Sequence, residues 1–396
     1  MPEQTPFHAR TAALCTSYRW KSWAGFHAVC SYDVHHEPEY FALRHSAGLL
    51  DVCPLFKYRV RGPQAGKFLA WVMARDIGRL STGRVTYTCL CDEAGKVVDD
   101  GTVARLGPEL YRVTTAGPSL AWLLDHARGF RVEIADESTA VAALALQGPT
   151  ARDLLASVAT EIDLHGLRFF GIAPARIGDH PVEISRTGYT GDLGYELWLA
   201  PEHALAVWDE LVRAGRDFAL LPVGLDALDM TRVEAGFVLQ DVDYHSALRT
   251  CVESRKSSPF ELGLGWTVNL DRAPFVGQAA LRREQKSGAT WGFVGLELDW
   301  DEIQALYAEA GLPPQLPTRA WRTAVPVFGG GAQVGQATSG TWSPLLKKNL
   351  ALASVKRPYD RLGTRLAIEF TVEYERHTVT AEVVRTPFFD PDRKKA

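Results

Sequence analysis

The stretch Ser185-Arg-Thr-Gly-Tyr-Thr-Gly-Asp-Leu-Gly-Tyr-Glu196 lies between two apolar segments, residues 182–186 and 195–199. Alternation in these segments predicts two strands joined by a glycine-rich turn. The three glycines permit a loop whose backbone approaches another group closely, and their spacing, with no helix after it, differs from a dinucleotide-binding fingerprint. Two interpretations stay open: a plain hairpin, or a hairpin whose Tyr189 and Glu196 stack on and hydrogen-bond a heterocycle with paired N–H donors.

A second polar segment, Val97-Val-Asp-Asp-Gly101, follows a predicted strand at residues 85–91 and a turn at 92–95. Because strand residues alternate between faces, Asp99 and Asp100 point in opposite directions and cannot form a carboxylate pair. One of them could face a cleft as a single general acid or base, or both could lie in a solvated bulge.

A predicted helix over residues 225–236 contains Asp229 and Arg232 at i,i+3 spacing, where a surface ion pair forms readily. If the helix face is partly buried, Arg232 could instead orient Asp229 or bind a carboxylate. The chain has no serine nucleophile elbow and no phosphate-binding loop, and its histidines do not build a metal site. We therefore predict no metal.

The order of the predicted elements is that of an α+β protein. Strands and helices alternate through the first third of the chain, and a second mixed unit begins near Ser138. Short alternating segments towards the C-terminus predict an antiparallel β-barrel or sandwich. Residues 301–319, rich in proline and glycine, are predicted as a surface excursion or linker, and Arg393-Lys394-Lys395 as a solvated tail.

Composition narrows the class of protein. With 43 Lys and Arg against 47 Asp and Glu, the net charge of −4 disfavours binding to nucleic-acid phosphates. No segment has the ~20 apolar residues of a membrane span, and no secretory pattern opens the chain, so we predict no membrane partner and a cytoplasmic location. The 11 Trp, 12 Tyr and 17 Phe could fill cores or stack on a planar ligand.

Several motifs occur in one order along almost the whole chain. They are His45-Ser-Ala-Gly-Leu-Leu-Asp-Val52, the strand–turn–strand of residues 80–100, Ala145-Leu-Gln-Gly-Pro149, Arg186-Thr-Gly-Tyr-Thr-Gly191, Arg232-Val-Glu-Ala-Gly236 and Thr338-Ser-Gly-Thr-Trp-Ser-Pro344. Together they resemble the motifs of the glycine cleavage T-protein (aminomethyltransferase) family.

The resemblance implies an α+β fold of three domains. Two are mixed α/β domains, and the third is a C-terminal antiparallel β-barrel. The expected boundaries are residues 1–48 plus 138–250 for a discontinuous folate-binding domain, 49–137 plus 251–290 for the second domain, and 291–396 for the barrel.

The resemblance also implies tetrahydrofolate as cofactor. Asp100 would be the catalytic residue, which orients the reduced pterin and manages a proton as N5 accepts carbon. Glu196 would hold the paired N–H donors of the pterin edge. The full set of expected cofactor-binding residues is Tyr87, Asp100, Phe169, Phe170, Tyr189, Glu196 and Arg232.

Other segments depart from the family pattern. Leu228 stands where an arginine is expected, residues 51–55 and 114–118 differ from the family's sequence, and the segment between Asp243 and Pro259 is longer, with His245 and Arg249 inside it. The motifs expected around the folate are thus kept, whereas the segments expected around the one-carbon donor differ from the family pattern. We call the latter the donor-side segments. This pattern indicates a one-carbon donor other than a lipoyl-bound aminomethyl group.

Three functions follow as hypotheses. The first is a tetrahydrofolate-dependent transferase that demethylates a small O-, S- or N-methylated donor to give methyl-tetrahydrofolate. The second is the aminomethyltransferase of glycine cleavage, which takes carbon from a lipoyl carrier protein. The third is a non-catalytic folate-binding assembly factor, whose relatives carry a Lys-Gly-Cys-x-x-Gly motif that this chain lacks.

Overall fold

The computed structural model describes residues 1–396. The strands are β1 (Arg19–Trp23), β2 (Phe26–Ser31), β3 (Ala47–Asp51), β4 (Phe56–Arg61), β5 (Arg84–Cys91), β6 (Val97–Gly107), β7 (Leu110–Thr115), β8 (Glu133–Asp136), β9 (Ala142–Gln147), β10 (Ala159–Thr160), β11 (Ile172–Ile177), β12 (His180–Ser185), β13 (Gly194–Leu199), β14 (Leu220–Pro222), β15 (Trp291–Leu298), β16 (Val325–Gly329), β17 (Ala332–Ser343), β18 (Lys348–Lys356), β19 (Arg365–Val372) and β20 (Glu375–Val384). The α-helices are α1 (His8–Leu14), α2 (Glu37–His45), α3 (Ala65–Val72), α4 (Leu120–His126), α5 (Ala151–Val158), α6 (Ala204–Gly215), α7 (Leu225–Glu234), α8 (Gln278–Ser287) and α9 (Trp300–Glu309).

A seven-stranded sheet has the order β10-β11-β12-β13-β9-β3-β14 and is antiparallel except for the β14–β3 pair. Its interior strand β9 is buried along its whole length, as its unbroken apolar run before Gln147 requires. Leu155 of α5 and Trp208 of α6 cover one face of the sheet. The other face packs against a second sheet.

This second sheet has five antiparallel strands in the order β5-β6-β7-β4-β8. Helices α3 and α4 cover its outer face, where Phe68 and Trp122 belong to one core cluster with strand residues. The inner face meets the seven-stranded sheet through a cluster that joins Val85 and Ala104 to Ala145 and Trp198. The two sheets therefore enclose a common space, and that space holds the candidate site.

The C-terminal strands close into an antiparallel barrel in the order β15-β18-β17-β16-β19-β20. The predicted fold class, α+β with a C-terminal antiparallel β-barrel, is confirmed. The domain boundaries stay a prediction. Helix α7 connects the parts: Met230 packs with the two sheets, whereas Val233 packs with Leu350 and Leu352 of the barrel.

Two predictions about the C-terminal third were wrong. Residues 301–319 are not all linker, because α9 occupies the first part of them. The Asp299 side chain caps this helix by accepting from the Glu302 N–H at 3.1 Å, and Ile303 and Tyr307 are buried in the barrel core. Residues 310–319 beyond it lie outside helices and strands.

The basic C-terminus is not a solvated tail either. Arg393 donates from Nε and Nη2 to both oxygens of the buried Asp192, at 2.7 and 2.8 Å. Arg186 donates to the carbonyl of Ala396. The last residues therefore pack on the glycine-rich loop, where the bidentate Arg393–Asp192 ion pair compensates the loss of hydration.

None of the helices is long and apolar enough to cross a bilayer.

Candidate active site between the two sheets

Asp100 on β6 and Glu196 on β13 line the space between the two sheets. Asp100 lies on the same strand face as Ala104, and Glu196 on the same face as Trp198, because side chains alternate along a strand. Ala104 and Trp198 meet in the cluster that joins the sheets. Both acids keep accessible surface, although each lies on an interior strand of its sheet.

Two tyrosine hydroxyls bind the Asp100 carboxyl group. Tyr87, on the neighbouring strand β5, donates to Oδ2 at 2.7 Å. Tyr244, from the segment after α7, donates to Oδ1. Burial raises the pKa of Asp100, and the hydrogen bonds from Tyr244 and Tyr87 act in the opposite direction by stabilising the anion. Burial is the larger effect, so the pKa of Asp100 stays above its ordinary value, and the two hydroxyls limit this rise.

Asp99 faces the other way, as strand alternation predicts. Its carboxyl oxygens accept from the Gly117 N–H at 3.0 Å, the Ser119 hydroxyl at 3.0 Å and the Asp100 N–H at 2.9 Å. Burial, followed by the charge of Asp100, raises the pKa of Asp99 to about 8. Asp99 anchors the turn after β7, and the two acids have separate roles.

The glycine-rich loop is shaped by Gln147 at the end of β9. A Cβ atom at Gly188 or Gly194 would lie 1.9 or 2.1 Å from Gln147 Oε1. The buried Gln147 amide donates to the carbonyls of Thr187 and Tyr195, both at 3.2 Å. Two of the glycines therefore make room for a side chain of the protein itself, which satisfies the loop's buried carbonyl groups.

The loop presents Tyr189 to the same space. The Tyr189 hydroxyl donates to the Val238 carbonyl, and its ring stacks on Phe237 with centroids 5.5 Å apart and planes 28° apart. Glu196 accepts from the Thr187 hydroxyl through Oε2 only. Burial raises the pKa of Glu196, and this hydrogen bond opposes the rise. Oε1 of Glu196 is left to accept a further donor.

The other two aromatic residues predicted for the site lie beside β5, the edge strand of the five-stranded sheet. Phe169 and Phe170 contact each other edge-to-face, with centroids 4.7 Å apart. The Phe170 carbonyl accepts from the Val85 N–H at 2.9 Å, two residues from Tyr87 on β5. Both phenylalanines are half-buried. The structure thus brings Tyr87, Phe169 and Phe170 to one edge.

Arg232 is buried, so the expected surface ion pair was the wrong interpretation. Its Nε donates to Asp229 Oδ1 and its Nη1 to Asp243 Oδ2, each at 2.7 Å, and Ser339 accepts at 3.0 Å. Nη2 is also buried and has no partner within the protein. Arg232 therefore orients two acids, and only Nη2 is available to a ligand.

Sequence reasoning missed two side chains of the site. Tyr244 lies 144 residues from Asp100 along the chain, in the segment that is longer than the family pattern. Trp266 is 62% exposed and stacks on the Tyr87 ring, with centroids 5.8 Å and planes 21° apart. No local pattern marks either one; the unusual segment length is a signal for Tyr244 only, because Trp266 lies beyond that segment.

These residues fit a reduced folate. A pterin edge offers paired N–H donors, and Glu196 offers a free carboxyl oxygen on an interior strand. The rings of Tyr87, Tyr189 and Trp266 offer flat surfaces. Asp100 adds a single carboxyl group that can exchange a proton.

Comparison with known proteins decides the family. A family model for the GCVT N-terminal domain matches residues 5–272, and a model for the glycine cleavage T-protein C-terminal barrel domain matches residues 310–390. The chain belongs to the glycine cleavage T-protein family. The resemblance inferred from the motifs is confirmed.

Named relatives agree with this membership. An aminomethyltransferase from Halothermothrix orenii is 34% identical over 88% of this chain and 90% of its own length. A trimethylamine-oxide aldolase from Ruegeria pomeroyi is 33% identical over 100% of this chain but only 48% of its own length. In fold, the chain is similar to the crystal structure of glycine cleavage system aminomethyltransferase T from Bartonella henselae, with a TM-score of 0.82, 24% identity and coverage of 98% of this chain and 99% of that chain.

The T-protein family member described here is a folate-dependent transferase, as predicted. Its relatives carry different names, so family membership defines the class of reaction and leaves the one-carbon donor open.

Proposed function

We propose that this T-protein family member transfers a methyl group from a small O-, S- or N-methylated donor to tetrahydrofolate. The observation that carries this proposal is the Asp100 carboxyl group, held by Tyr87 and Tyr244 in a space that Glu196 and Tyr189 also line. The donor-side residues that depart from the family pattern support a small donor.

The folate would lie between the two sheets. Glu196 would accept its paired N–H donors through Oε1, since Oε2 is already engaged by Thr187. Tyr189 would contribute its ring, because its hydroxyl is committed to the Val238 carbonyl. Phe169, Phe170 and Arg232 Nη2 complete the proposed set. When bound, tetrahydrofolate supplies N5 as the nucleophile that accepts carbon.

Asp100 would hold the acceptor nitrogen in attack geometry and take the proton that this nitrogen loses. The bond between the methyl carbon and the donor heteroatom breaks, and its electron pair leaves with the heteroatom. Positioning of this kind supplies a large part of enzymatic rate enhancement. A single carboxyl group suffices, which agrees with the separate anchoring role of Asp99.

Two of the segments that differ from the family pattern, residues 114–118 and the long segment after α7, come into contact at Gly117. A Cβ atom there would lie 2.7 Å from Gln240 Oε1 and 3.0 Å from Arg249 Nη2. The altered turn after β7 is thus packed against the long segment after α7. Leu228, where the family has an arginine, packs instead with apolar residues. One relative acts, by its name, on trimethylamine oxide, and this supports a methylated small molecule as donor.

A second candidate is aminomethyl transfer from a lipoyl carrier protein. The observation that favours it is the name aminomethyltransferase, carried by relatives about as similar to this chain as the aldolase is, such as the Halothermothrix orenii protein at 34% identity. Under this alternative, the carrier would be the partner.

The experiment that separates the two candidates incubates the protein with tetrahydrofolate and each donor class in turn. The small donors are an aryl methyl ether, a methylsulfonium compound and a methylated amine, and the other donor is an aminomethyl-lipoyl carrier protein. We expect methyl-tetrahydrofolate, detected by mass, from one small donor. Methylene-tetrahydrofolate from the carrier alone would overturn the proposal in favour of the second candidate.

A further inference from the structure

The segment after α7 brings a second tyrosine hydroxyl to Asp100. Tyr244 is 2% exposed, and its hydroxyl donates to Asp100 Oδ1 while Tyr87 donates to Oδ2. The rest of the Tyr244 side chain packs in a cluster with Cys89 and Leu262. The two oxygens of Asp100 are thus bound from different parts of the chain.

The residue before Tyr244 is fixed by two other parts of the molecule. Asp243 Oδ2 accepts from Arg232 of α7 at 2.7 Å and from the Leu239 N–H at 2.8 Å. Asp243 Oδ1 accepts from the hydroxyls of Thr338 and Ser339 on β17 of the barrel. Helix and barrel therefore hold Tyr244 in place through its neighbour.

The same segment is also bound to β6, the strand of Asp100. The Ala247 N–H donates to the Val97 carbonyl at 2.9 Å, and the Gln240 amide donates to the Val98 carbonyl at 3.3 Å. The Val97 N–H in turn donates to the Ser257 carbonyl at 2.8 Å. Tyr244 and Asp100 are thus carried by backbones that are hydrogen-bonded to each other, which favours a rigid contact.

We propose that Tyr244 is a positioning residue, whose hydroxyl fixes the Asp100 carboxylate and keeps it ionised for the transfer. This inference rests on the proposed function and adds a named residue to it. Rotation of the Asp100 carboxyl group would break at least one of its two hydrogen bonds. Asp100 would therefore present one orientation to a bound acceptor, as preorganised catalytic groups do.

The charged and titratable groups around Asp100 explain why the Tyr244 hydroxyl matters for its ionised form. The titratable groups that interact electrostatically with Asp100 are Asp99, on the opposite face of its own strand, Tyr87 and Cys89 on β5, Tyr189 of the glycine-rich loop, and Asp243 beside Tyr244. None of them is a cation. Hydrogen-bond donors are therefore the groups that stabilise the charged form of Asp100 against burial.

The test compares Tyr244→Phe with the wild type and with Tyr111→Phe. The Phe variant at 244 keeps the ring in its cluster and removes only the hydroxyl. Tyr111 is a matched control, since it is 2% exposed, lies on β7 in the core beneath α3, and its hydroxyl makes no hydrogen bond. Both variants lose one tyrosine hydroxyl from a buried residue, but only the Tyr244 hydroxyl contacts Asp100.

The first readout is the titration of Asp100, followed by carbon NMR of protein labelled with 13C at the aspartate carboxyl carbon and assigned by Asp100→Asn. Loss of one donor to a carboxylate raises its pKa, so we expect the midpoint in Tyr244→Phe to rise by about one pH unit. The Tyr111→Phe midpoint should equal that of the wild type. This readout needs neither cofactor nor donor.

The second readout is turnover with the donor that the wild type uses. We expect kcat of Tyr244→Phe to fall about 10-fold or more, the acid limb of its pH profile to move to higher pH, and the tetrahydrofolate affinity to stay within about twofold. An unchanged NMR midpoint with an unchanged pH profile would overturn the inference. A wild type that transfers no carbon would contradict the proposed function, whereas the NMR shift would still decide whether Tyr244 keeps Asp100 ionised.

Discussion

Arg232 Nη1 donates to Asp243 Oδ2 across 2.7 Å, and both side chains are buried. The pair joins helix α7 to the segment that carries Tyr244, and Ser339 of the barrel accepts from the same nitrogen at 3.0 Å. One guanidinium group thus links the three parts of the molecule next to the candidate site. The stability of the whole chain should depend on it.

Replacement of Arg232 by methionine should destabilise the protein by about 3–5 kcal/mol, because Asp243 would remain buried without its cation and Asp229 would keep only its ion pair with Arg322. Chemical denaturation measures this change. Arg213→Met is the control: Arg213 pairs with Glu210 on the exposed side of α6, and its loss should cost less than about 1 kcal/mol. Equal stability of the two variants would contradict the role assigned to Arg232.

Alanine at Gly194 should be poorly tolerated. Its Cβ atom would lie 2.1 Å from Gln147 Oε1, and Gln147 cannot withdraw without leaving two buried carbonyls unsatisfied. We expect a loss of about 1–3 kcal/mol in the free energy of unfolding. At Gly107 the nearest atom would be 3.5 Å away, so Gly107→Ala serves as control. A Gly194→Ala variant as stable as this control would refute the packing role of Gln147.

Lys57 makes the folding stability of the protein depend on pH in the alkaline range. It is fully buried and donates to the Cys53 carbonyl at 2.7 Å, and burial lowers the pKa of its ammonium group to about 8. Between pH 8 and the ordinary lysine pKa near 10.5, the unfolded chain binds a proton that the folded chain does not, so this group's contribution to stability rises as pH rises.

Lys57→Met should remove that contribution. Between pH 7 and pH 10, the unfolding free energy of the wild type should rise by about 2 kcal/mol relative to that of the variant. Denaturation at the two pH values measures it. A constant difference would show that Lys57 titrates normally in the folded protein.

Local sequence patterns were sufficient to predict the strands that carry Asp99, Asp100 and Glu196. Alternation around residues 85–105 predicted β5, β6 and the opposite orientations of Asp99 and Asp100, and the glycine-rich turn predicted the hairpin of β12 and β13. These features depend on neighbours in sequence, such as turn residues and strand periodicity. Alternation also predicted an antiparallel barrel or sandwich at the C-terminus, and the family motifs favoured the barrel and added the class of reaction.

Contacts between distant residues could not be predicted in this way. Tyr244 reaches Asp100 only because the segment after α7 folds back along β6, and Arg393 reaches Asp192 only because the chain end returns to the glycine-rich loop. Helix α9 was missed because the prolines that follow it dominate the composition of that region. For Tyr244 and Arg393, tertiary packing, which has no local signature, decides the outcome.

Glu196 should control folate affinity. Glu196→Ala removes the carboxyl oxygen proposed to accept the paired N–H donors of the pterin, and hydrogen bonds of that kind are each worth about 1.5–3 kcal/mol. We expect tetrahydrofolate to bind about 10- to 100-fold more weakly in a calorimetric titration. Glu133→Ala, an exposed strand glutamate of β8, should bind tetrahydrofolate normally. Unchanged affinity in Glu196→Ala would remove this residue from the pterin site.

The transfer itself is tested most directly by following a labelled methyl group. The wild type and Asp100→Asn are incubated with tetrahydrofolate and with an aryl methyl ether, a methylsulfonium compound and a methylated amine, each carrying a 13C methyl group. We predict 13C-methyl-tetrahydrofolate from one donor with the wild type, and a yield at least about 100-fold lower with Asp100→Asn, which keeps the fold but cannot accept the proton. No labelled folate from any donor, or equal yields from the two proteins, would contradict methyl transfer at Asp100.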